Sequence, residues 1–454
     1  MVEDRIDAID FYIHATSTPA DDRTRVLKHG ESFAVFNRYG DIRPLGLGEQ
    51  GLYHGGTRYL SRFVMTIEGG PPILLSSTMR RDDLVFTVDV TNLEIRRDGQ
   101  VVVPQDTIHI SRSTLLWDGV CHQQLEITNY GDGVVDLQLG FVYDADYADI
   151  FEVRGLKRKA HGEMMPVEIV ERGARLAYHG LDDVRRATRI VCTPAPDEID
   201  ENHLALNVHL LAGEQRTYEI AIVCEDGDTR SRPSFQVALA AAEESLGRAR
   251  QREAQISTSN EQFNDWLDRS LADVRVLTTR TPDGYYPYAG VPWFSTPFGR
   301  DGLITALQML WVNPELARGV LAYLAATQAT EYDPEADAQP GKILHETRSG
   351  EMAALGEHPF RKYYGTADAT PLFIMLAGQY YQATADRELI CSIWPNIEAA
   401  LEWIDGDGDP DGDGFVEYSK SPVGLVHQGW KDSNDSVFHL DGSPATHPIA
   451  LAEV

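Results

Sequence analysis

The sequence predicts an α+β multidomain chain in which an antiparallel β-sandwich precedes a helical domain. Three observations carry this. From about residue 30 to 225, short runs of β-branched and aromatic residues alternate with Gly, Asp and Asn. Near residue 234 the composition turns Ala-, Glu- and Arg-rich and Pro-free. Beyond it, apolar residues recur at helical spacing and prolines stand at helix starts. With 454 residues, 43% of them hydrophobic and 24% charged, the chain has the composition of a soluble protein with room for two or three cores. The expected boundaries are residues 1–233 for the β-sandwich, 234–258 for a helical linker and 259–454 for the helical domain.

Arg58 to Ile67 reads as one strand and Leu84 to Val90 as another. Leu125 and Ile127, then Val135, Leu137, Leu139 and Phe141, flank the turn signal Asn129-Tyr130-Gly131-Asp132-Gly133. Leu204, Leu206, Val208 and Leu210 alternate strictly, as a half-buried strand does. Phe235 to Arg252 reads as a helix. Ser257 to Asn260 offers caps for the next one, with Phe263, Trp266, Leu267, Leu271 and Val274 as its buried stripe. Asn313-Pro314-Glu315 and Thr370-Pro371 open two more helices. Asp386 to Ile404 reads as a helix kinked at Pro395. Ser443-Pro444 begins a last helix, and Ile449 to Val454 reads as a helix interrupted early, since it has no cap.

Charge and cysteine usage narrow the function classes. Forty Lys and Arg against 70 Asp and Glu leave a net charge of −30, which repels phosphate backbones and anionic membranes. Nucleic acid and membrane partners are therefore not expected, whereas a neutral substrate is indifferent to the charge. Cys121, Cys192, Cys224 and Cys391 are too few and too scattered for a disulfide framework or a zinc site. The polar start lacks the apolar run of a signal peptide, and no stretch of about 18 apolar residues occurs, so a cytoplasmic location is expected.

Four segments carry candidate chemistry. In Pro292 to Gly302, aromatics, prolines and glycines surround Arg300 and Asp301 at the entrance to a helix. Flat rings such as Trp293 suit the apolar face of a pyranose, and Arg and Asp supply donors and acceptors to its hydroxyls. A structural Arg–Asp ion pair is the alternative. Leu344 to Glu351 holds His345, Glu346 and Arg348, as a binding loop or a solvated charged loop. Tyr363 to Pro371 brings Tyr364 and Asp368 to a helix mouth, where Asp368 either binds sugar or caps the helix. His427 to Asp435 places Trp430 and Lys431 beside Asp432. A carboxyl against an aromatic wall can hold the proton that glycoside hydrolysis requires, although the neighbouring lysine opposes this, and an ordinary polar loop is the alternative.

In order and spacing, PWFSTPFGRDGLITALQ, HETRSGEMA, YYGTADATPLF and QGWKDS resemble bacterial amylo-α-1,6-glucosidase (glycogen-debranching-like) proteins. Leu52 to Ser61 resembles the signature of that family's leading domain. The resemblance covers most of the chain and implies a β-sandwich followed by part of an (α/α)6 toroid. It implies Asp432 as general acid of an inverting glycosidase acting on α-glucosidic linkages of a glucan or oligosaccharide. Arg300 and Asp301 become ring contacts, Trp293 a platform, and Glu346, Arg348, Tyr364 and Asp368 pocket residues. Trp430 and Lys431 flank the acid. About five helices and the beginning of another follow residue 260, so the family's general base is expected past residue 454, with Glu453 a poor substitute. The chain alone is then expected to be catalytically incomplete. A trehalase- or mannosidase-like exo-glycosidase and a glycan-binding protein without turnover are the alternatives. No cofactor is expected for the chemistry, and no oligomeric state is assigned.

A last pattern lies in Asp405 to Glu417. Carboxylates at alternate positions with glycines between them can wrap a hard cation. Asp409, Asp411, Asp413, the Phe415 carbonyl and Glu417 would be the ligands of a structural calcium that braces the loop leading to Asp432. Lys420 stands where an EF-hand carries its last Glu, so the loop is not an EF-hand, and an acidic turn is the alternative.

Overall fold

The computed structural model describes residues 24–44, 48–227, 232–418, 424–433 and 437–443. Asp435, Lys420, the helix expected from Pro444 and Glu453 lie outside the described residues. The expectation of an antiparallel β-rich domain followed by a helical part holds. Among the described residues two compact units are formed: residues 24–248 with 265–276, and residues 249–264 with 277–443. Among the described residues, no helix is long and apolar enough to cross a membrane.

The β unit is built on an eight-stranded antiparallel sheet whose centre is Gln215–Asp226, Val120–Asn129 and Ile108–Trp117. A four-stranded sheet containing His203–Leu210, Val135–Asp144 and Arg62–Ile67 supplies a second layer. The turn at Asn129 to Gly133 therefore does not close a hairpin; it carries the chain from one sheet to the other. Asn129 is fully buried there, donating from its amide to the Gly133 and Leu211 carbonyls at 2.8 and 3.1 Å. The segment expected as one strand from Arg58 to Ile67 is two. Thr57–Leu60 pairs with Gly51–His54, and Arg62–Ile67 pairs with Val135–Asp144, so the chain changes sheets at Ser61. Composition is the same on both sides of Ser61, so only the pairing partners reveal the break. A short helix α1 (Ile150–Val153) follows, closed by an Asp149–Glu152 capping box.

Helix α2 (Phe235–Arg250) buries Phe235, Ala238 and Ala242 against Val85 and Leu115 of the large sheet. Helix α3 (Glu261–Leu277) departs from its expected stripe. Phe263 and Trp266 are 42% and 63% exposed, and burial falls on Leu271 and Ala272. The C-terminal half of α3 is the part that docks on the β unit, where Arg269 pairs with Asp83 at 2.7 Å.

The helical unit comprises α4 (Gly299–Met309), α5 (Pro314–Thr327), the short α6 (Glu351–Leu355), α7 (Ala369–Thr384), α8 (Arg387–Ser392) and α9 (Trp394–Asp405). Leu303, Val320, Leu321, Leu324, Phe373, Leu376 and Ala400 form its core. The single helix expected from Asp386 to Ile404 is broken at Ile393, because Pro395 lacks an N–H and clashes with the preceding turn; it instead opens α9.

Arg112 has no exposure, deep in the sandwich. Its Nη1 donates to Asp41 Oδ1 at 2.9 Å and its Nε to Gln123 Oε1 at 3.2 Å, while Nη2 has no partner. Asp41 also accepts the Met65 N–H. Removing one partner of a buried pair strands the other charge at a cost of about 3–5 kcal/mol. Asp41→Ala should therefore lower the thermal midpoint by roughly 6–20 °C. Arg112→Met combined with Asp41→Leu should recover most of it, and a double variant as unstable as Asp41→Ala would refute the stranded charge as the cause.

Burial also depresses the pKa of His122 and His358, to about 4 and about 3, from 6.5; neighbouring Arg232 and Arg348 push each further down. Native protein thus keeps these rings neutral while the unfolded chain protonates them below pH about 6.5. Their contribution is intact above that pH and is lost as pH falls toward 4 and then 3. His358→Asn should flatten the fall of unfolding free energy between pH 6.5 and 4 in denaturant titrations; an unchanged slope would exclude His358 as a contributor.

Candidate active site

Helix α4 begins where three distant loops meet. Phe298 is extended and bridges Glu346, which in turn bridges Tyr363. The Gly299 N–H donates to the His345 carbonyl at 2.8 Å. A Cβ on Gly299 would fall 1.9 Å from the Leu344 carbonyl oxygen, so only glycine lets the loop lie against the helix start. Tyr286 donates to the Phe298 carbonyl at 2.7 Å from below.

Arg300, 6% exposed, is the centre of the cluster. Its Nη1 donates to Asp368 Oδ2 at 3.0 Å and to the Gly429 carbonyl at 2.5 Å. Its Nη2 donates to Asp432 Oδ2 at 2.5 Å, and the guanidinium carbon lies 5.7 Å from the centre of the Trp430 ring. Burial disfavours its charge, but Asp368 and Asp432 outweigh this and hold its pKa above the usual value. Asp301 is not among the ion-pair partners of Arg300. Successive helix residues project in different directions, so adjacency in sequence does not make a pair. Burial raises the pKa of Asp301; Arg300 opposes the rise, and Asp432 and Asp368 add to it.

Asp368 occupies the N-cap position of α7 but makes no side-chain capping bond. Its carboxylate is turned to Arg300 and to the Thr366 hydroxyl, which donates at 2.6 Å. Glu346 and Arg348 are buried and paired at 2.6 Å, so their loop is not a solvated one. Arg348 also donates to the Trp293 carbonyl at 2.9 Å and lies over Phe298. Trp293 is half-buried. Tyr364 donates to the Thr327 carbonyl at the end of α5 at 2.6 Å. Trp430 and Lys431 are exposed, and the Asp432 side chain is 39% exposed.

Sequence reasoning passed over Tyr363, the neighbour that anchors the loop before Asp432. Its hydroxyl donates to Asp337 Oδ2 at 2.8 Å and accepts the Leu425 N–H at 2.8 Å. A Cβ on Gly365 or Gly424 would lie 2.0 or 2.4 Å from that hydroxyl oxygen. In the sequence the only sign is a tyrosine followed by glycine two positions on, which does not choose between Tyr363 and Tyr364.

Arg300 can only donate, so Asp432 Oδ2 acts as the acceptor of this contact. With the exposed Trp430 ring alongside, the cluster offers an aromatic face, fixed donors and carboxylate acceptors close together in the helical unit. In the acidic loop, one carboxylate oxygen from each of Asp409, Asp411 and Asp413 lies within 4.8 Å of the others. Asp409 accepts from the Gly412, Asp413 and Gly414 N–H groups at 2.8–3.0 Å, which fixes the loop's curl. Burial and these three carboxylates raise the pKa of Glu417, and Phe415 is exposed.

Residues 27–221 match a family described as the N-terminal domain of some glycogen debranching enzymes. A search of curated proteins gave no match. Among solved structures, a candidate kojibiose phosphorylase from the human microbiome is similar with a TM-score of 0.56 and 12% identity, over 83% of this chain and 56% of that one. A bacterial glucoamylase complexed with acarbose aligns with a TM-score of 0.45 and 11% identity, over 87% of this chain and 60% of that one. The chain thus spans a little over half the length of these two proteins. At such identity the first likeness concerns fold: a β-rich domain followed by helices, as in the candidate phosphorylase.

Proposed function

We propose that this chain belongs to a glycoside hydrolase acting on α-glucosidic linkages of a glucan or oligosaccharide, of the amylo-α-1,6-glucosidase or debranching-like type. The observation that carries the reading is Arg300, which joins the GRD, YYGTAD and QGWKDS segments through Asp368, Gly429 and Asp432. The match of residues 27–221 to a debranching-enzyme N-terminal domain supports it, as does the fold shared with a candidate carbohydrate phosphorylase. In this reading Asp301 and Arg300 hold hydroxyls of the sugar ring, and Trp293 and Trp430 pack on its faces. Glu346, Arg348 and Tyr364 keep the pocket in shape, and Lys431 borders it. Asp432 passes a proton to the glycosidic oxygen as the bond to the anomeric carbon breaks. Water then attacks from the opposite face with inversion and gives its proton to a general base. A cytoplasmic setting suits the four free thiols.

The Arg300–Asp432 contact also favours a second reading, a glycan-binding protein without turnover, because it keeps Asp432 as an acceptor. Glucose release distinguishes the two. In active enzyme, Asp432→Asn should reduce hydrolysis of a natural α-glucoside by roughly 100- to 10,000-fold. It should spare glucosyl fluoride, whose leaving group needs no proton. Full activity of Asp432→Asn on the natural substrate would sink the assignment, and glucan binding with no release by the wild type would favour the second reading.

We further propose that Asp409, Asp411, Asp413, the Phe415 carbonyl and Glu417 hold a structural calcium ion, supported by the convergence of the three aspartates. Calcium should then raise the thermal midpoint, and Asp411→Ala should abolish the rise. A scan that is identical with calcium and with chelator would leave an acidic turn.

A further inference from the structure

The connection between α5 and α6 carries two charged residues outside the Arg300 cluster, Asp337 and Lys342. Residues 334–337 form a turn closed by Asp333 and Ala338, whose backbones exchange hydrogen bonds at 3.1 and 2.9 Å. Asp337 ends this turn with φ +52°, in the left-handed region that Asp tolerates better than most residues. The Tyr364 N–H donates to the Ala336 carbonyl at 2.8 Å and ties the turn to the YYGTAD segment. Lys342 is 5% exposed. Its ammonium donates to the Asp337 carbonyl at 3.3 Å and lies 5.7 Å from the centre of the Trp403 ring. Burial pushes its pKa down to about 8, and the charges of Asp337 and Asp407 oppose the fall.

One oxygen of the Asp337 carboxylate receives two side chains. Its Oδ2 accepts the Tyr363 hydroxyl at 2.8 Å and the Gln428 Nε2 at 3.3 Å. Both donors lead to the segment that carries Asp432. The Tyr363 hydroxyl oxygen in turn accepts the Leu425 N–H at 2.8 Å. Gln428 stands four residues before Asp432 and is 2% exposed. The main chain here is held as well: the Gln428 carbonyl accepts the Ala367 N–H at 2.7 Å, and the Gly429 carbonyl accepts from Arg300.

Residues 424–433 contain no helix or strand, so no ladder of backbone bonds sets their place. The side-chain bonds above do this instead. A carboxylate oxygen has lone pairs for both donors, and bonds to a charged acceptor are stronger than neutral ones. Arg300 holds Asp432 from the side of α4, whereas Asp337 holds the chain that leads up to it. Such support matters for chemistry, because displacing a reacting group by about 1 Å costs on the order of 100-fold in rate.

We propose that Asp337 is a positioning residue for Asp432: through Tyr363 and Gln428 it fixes residues 425–428, and thereby the place of the Asp432 carboxyl against Arg300. Lys342 supplies the buried positive charge beside it. The effect on catalysis rests on the reading of Asp432 as general acid, whereas the anchoring of the segment does not.

Amide hydrogen exchange of the full chain, resolved by peptide, tests the anchoring. Asp337→Gly suits the left-handed backbone and removes the carboxylate. It should speed exchange across residues 425–429 by at least about tenfold, the scale of one lost bond to a charged group, and leave α5 and α7 as in the wild type. Asp337→Asn keeps an acceptor oxygen and should stay within about threefold of the wild type. If Asp337→Gly does not fold because Lys342 has lost its counter-charge, Asp337→Gly combined with Lys342→Met removes that cation and gives the same readout. Unchanged exchange at 425–429, or a rise spread evenly over the helical unit, overturns the proposal. In active enzyme, Asp337→Gly should lower kcat on a natural α-glucoside at least about tenfold with KM unchanged, and spare glucosyl fluoride. Equal losses on both substrates also overturn it. Full activity of Asp432→Asn on the natural substrate instead removes the general acid from the reading, and the exchange experiment then decides the anchoring by itself.

Discussion

One guanidinium organises the helical unit. Arg300 enters from the first turn of α4 and meets residues 68 and 132 positions further along the chain. Asp368 stands at the start of α7, whereas Gly429 and Asp432 come from a loop with no regular structure of its own. Without a common donor, Asp368 and Asp432 would be two carboxylates repelling each other across a partly buried space. The glycine at 299 and the aromatic packing of Phe298, His345 and Tyr363 serve this contact, since they set where α4 begins relative to the loops.

The β unit follows a comparable logic with a different result. Arg112 is more deeply buried than Arg300, yet its acid Asp41 and its amide Gln123 are enclosed along with it. Nothing there opens to a substrate, and the pair ties the large sheet to the Asn37–Arg43 turn. The difference lies in exposure: Asp432 retains more than a third of its side-chain surface, whereas Asp41 retains almost none. The same pair of residue types is sealed in the β unit and leaves one partner facing outward in the helical unit.

Much of this was legible in the sequence, and the misses have definite causes. Alternation at Leu204 to Leu210 and Pro at the start of α5 are local signals, and both elements form where they were expected. The sheet change at Ser61 and the crossover at Asn129 depend on which strand lies next door, which composition does not record. The stripe on α3 had the right period but not the right coverage, because a periodic apolar face says nothing about how much of it meets a partner. At the candidate site, the segments that meet were recognisable, but the pairing within them was not. Arg300 passes over its neighbour Asp301 for carboxylates far along the chain, and Tyr363 rather than Tyr364 reaches toward the Asp432 loop. Both choices are set by side-chain direction, which tertiary packing decides.

The enclosure of the Tyr363 hydroxyl between Gly365 and Gly424 ties three positions into one unit of inheritance. A methyl at either glycine has no room while the phenol is present, and a shorter residue at 363 leaves the Leu425 N–H without its acceptor. Single changes at any of the three are therefore unfavourable, although paired changes can restore the fit. Related sequences should drift at these positions together or not at all, so a correlated set of Tyr and two Gly separated by nearly sixty residues would mark this loop arrangement in chains whose other motifs have diverged.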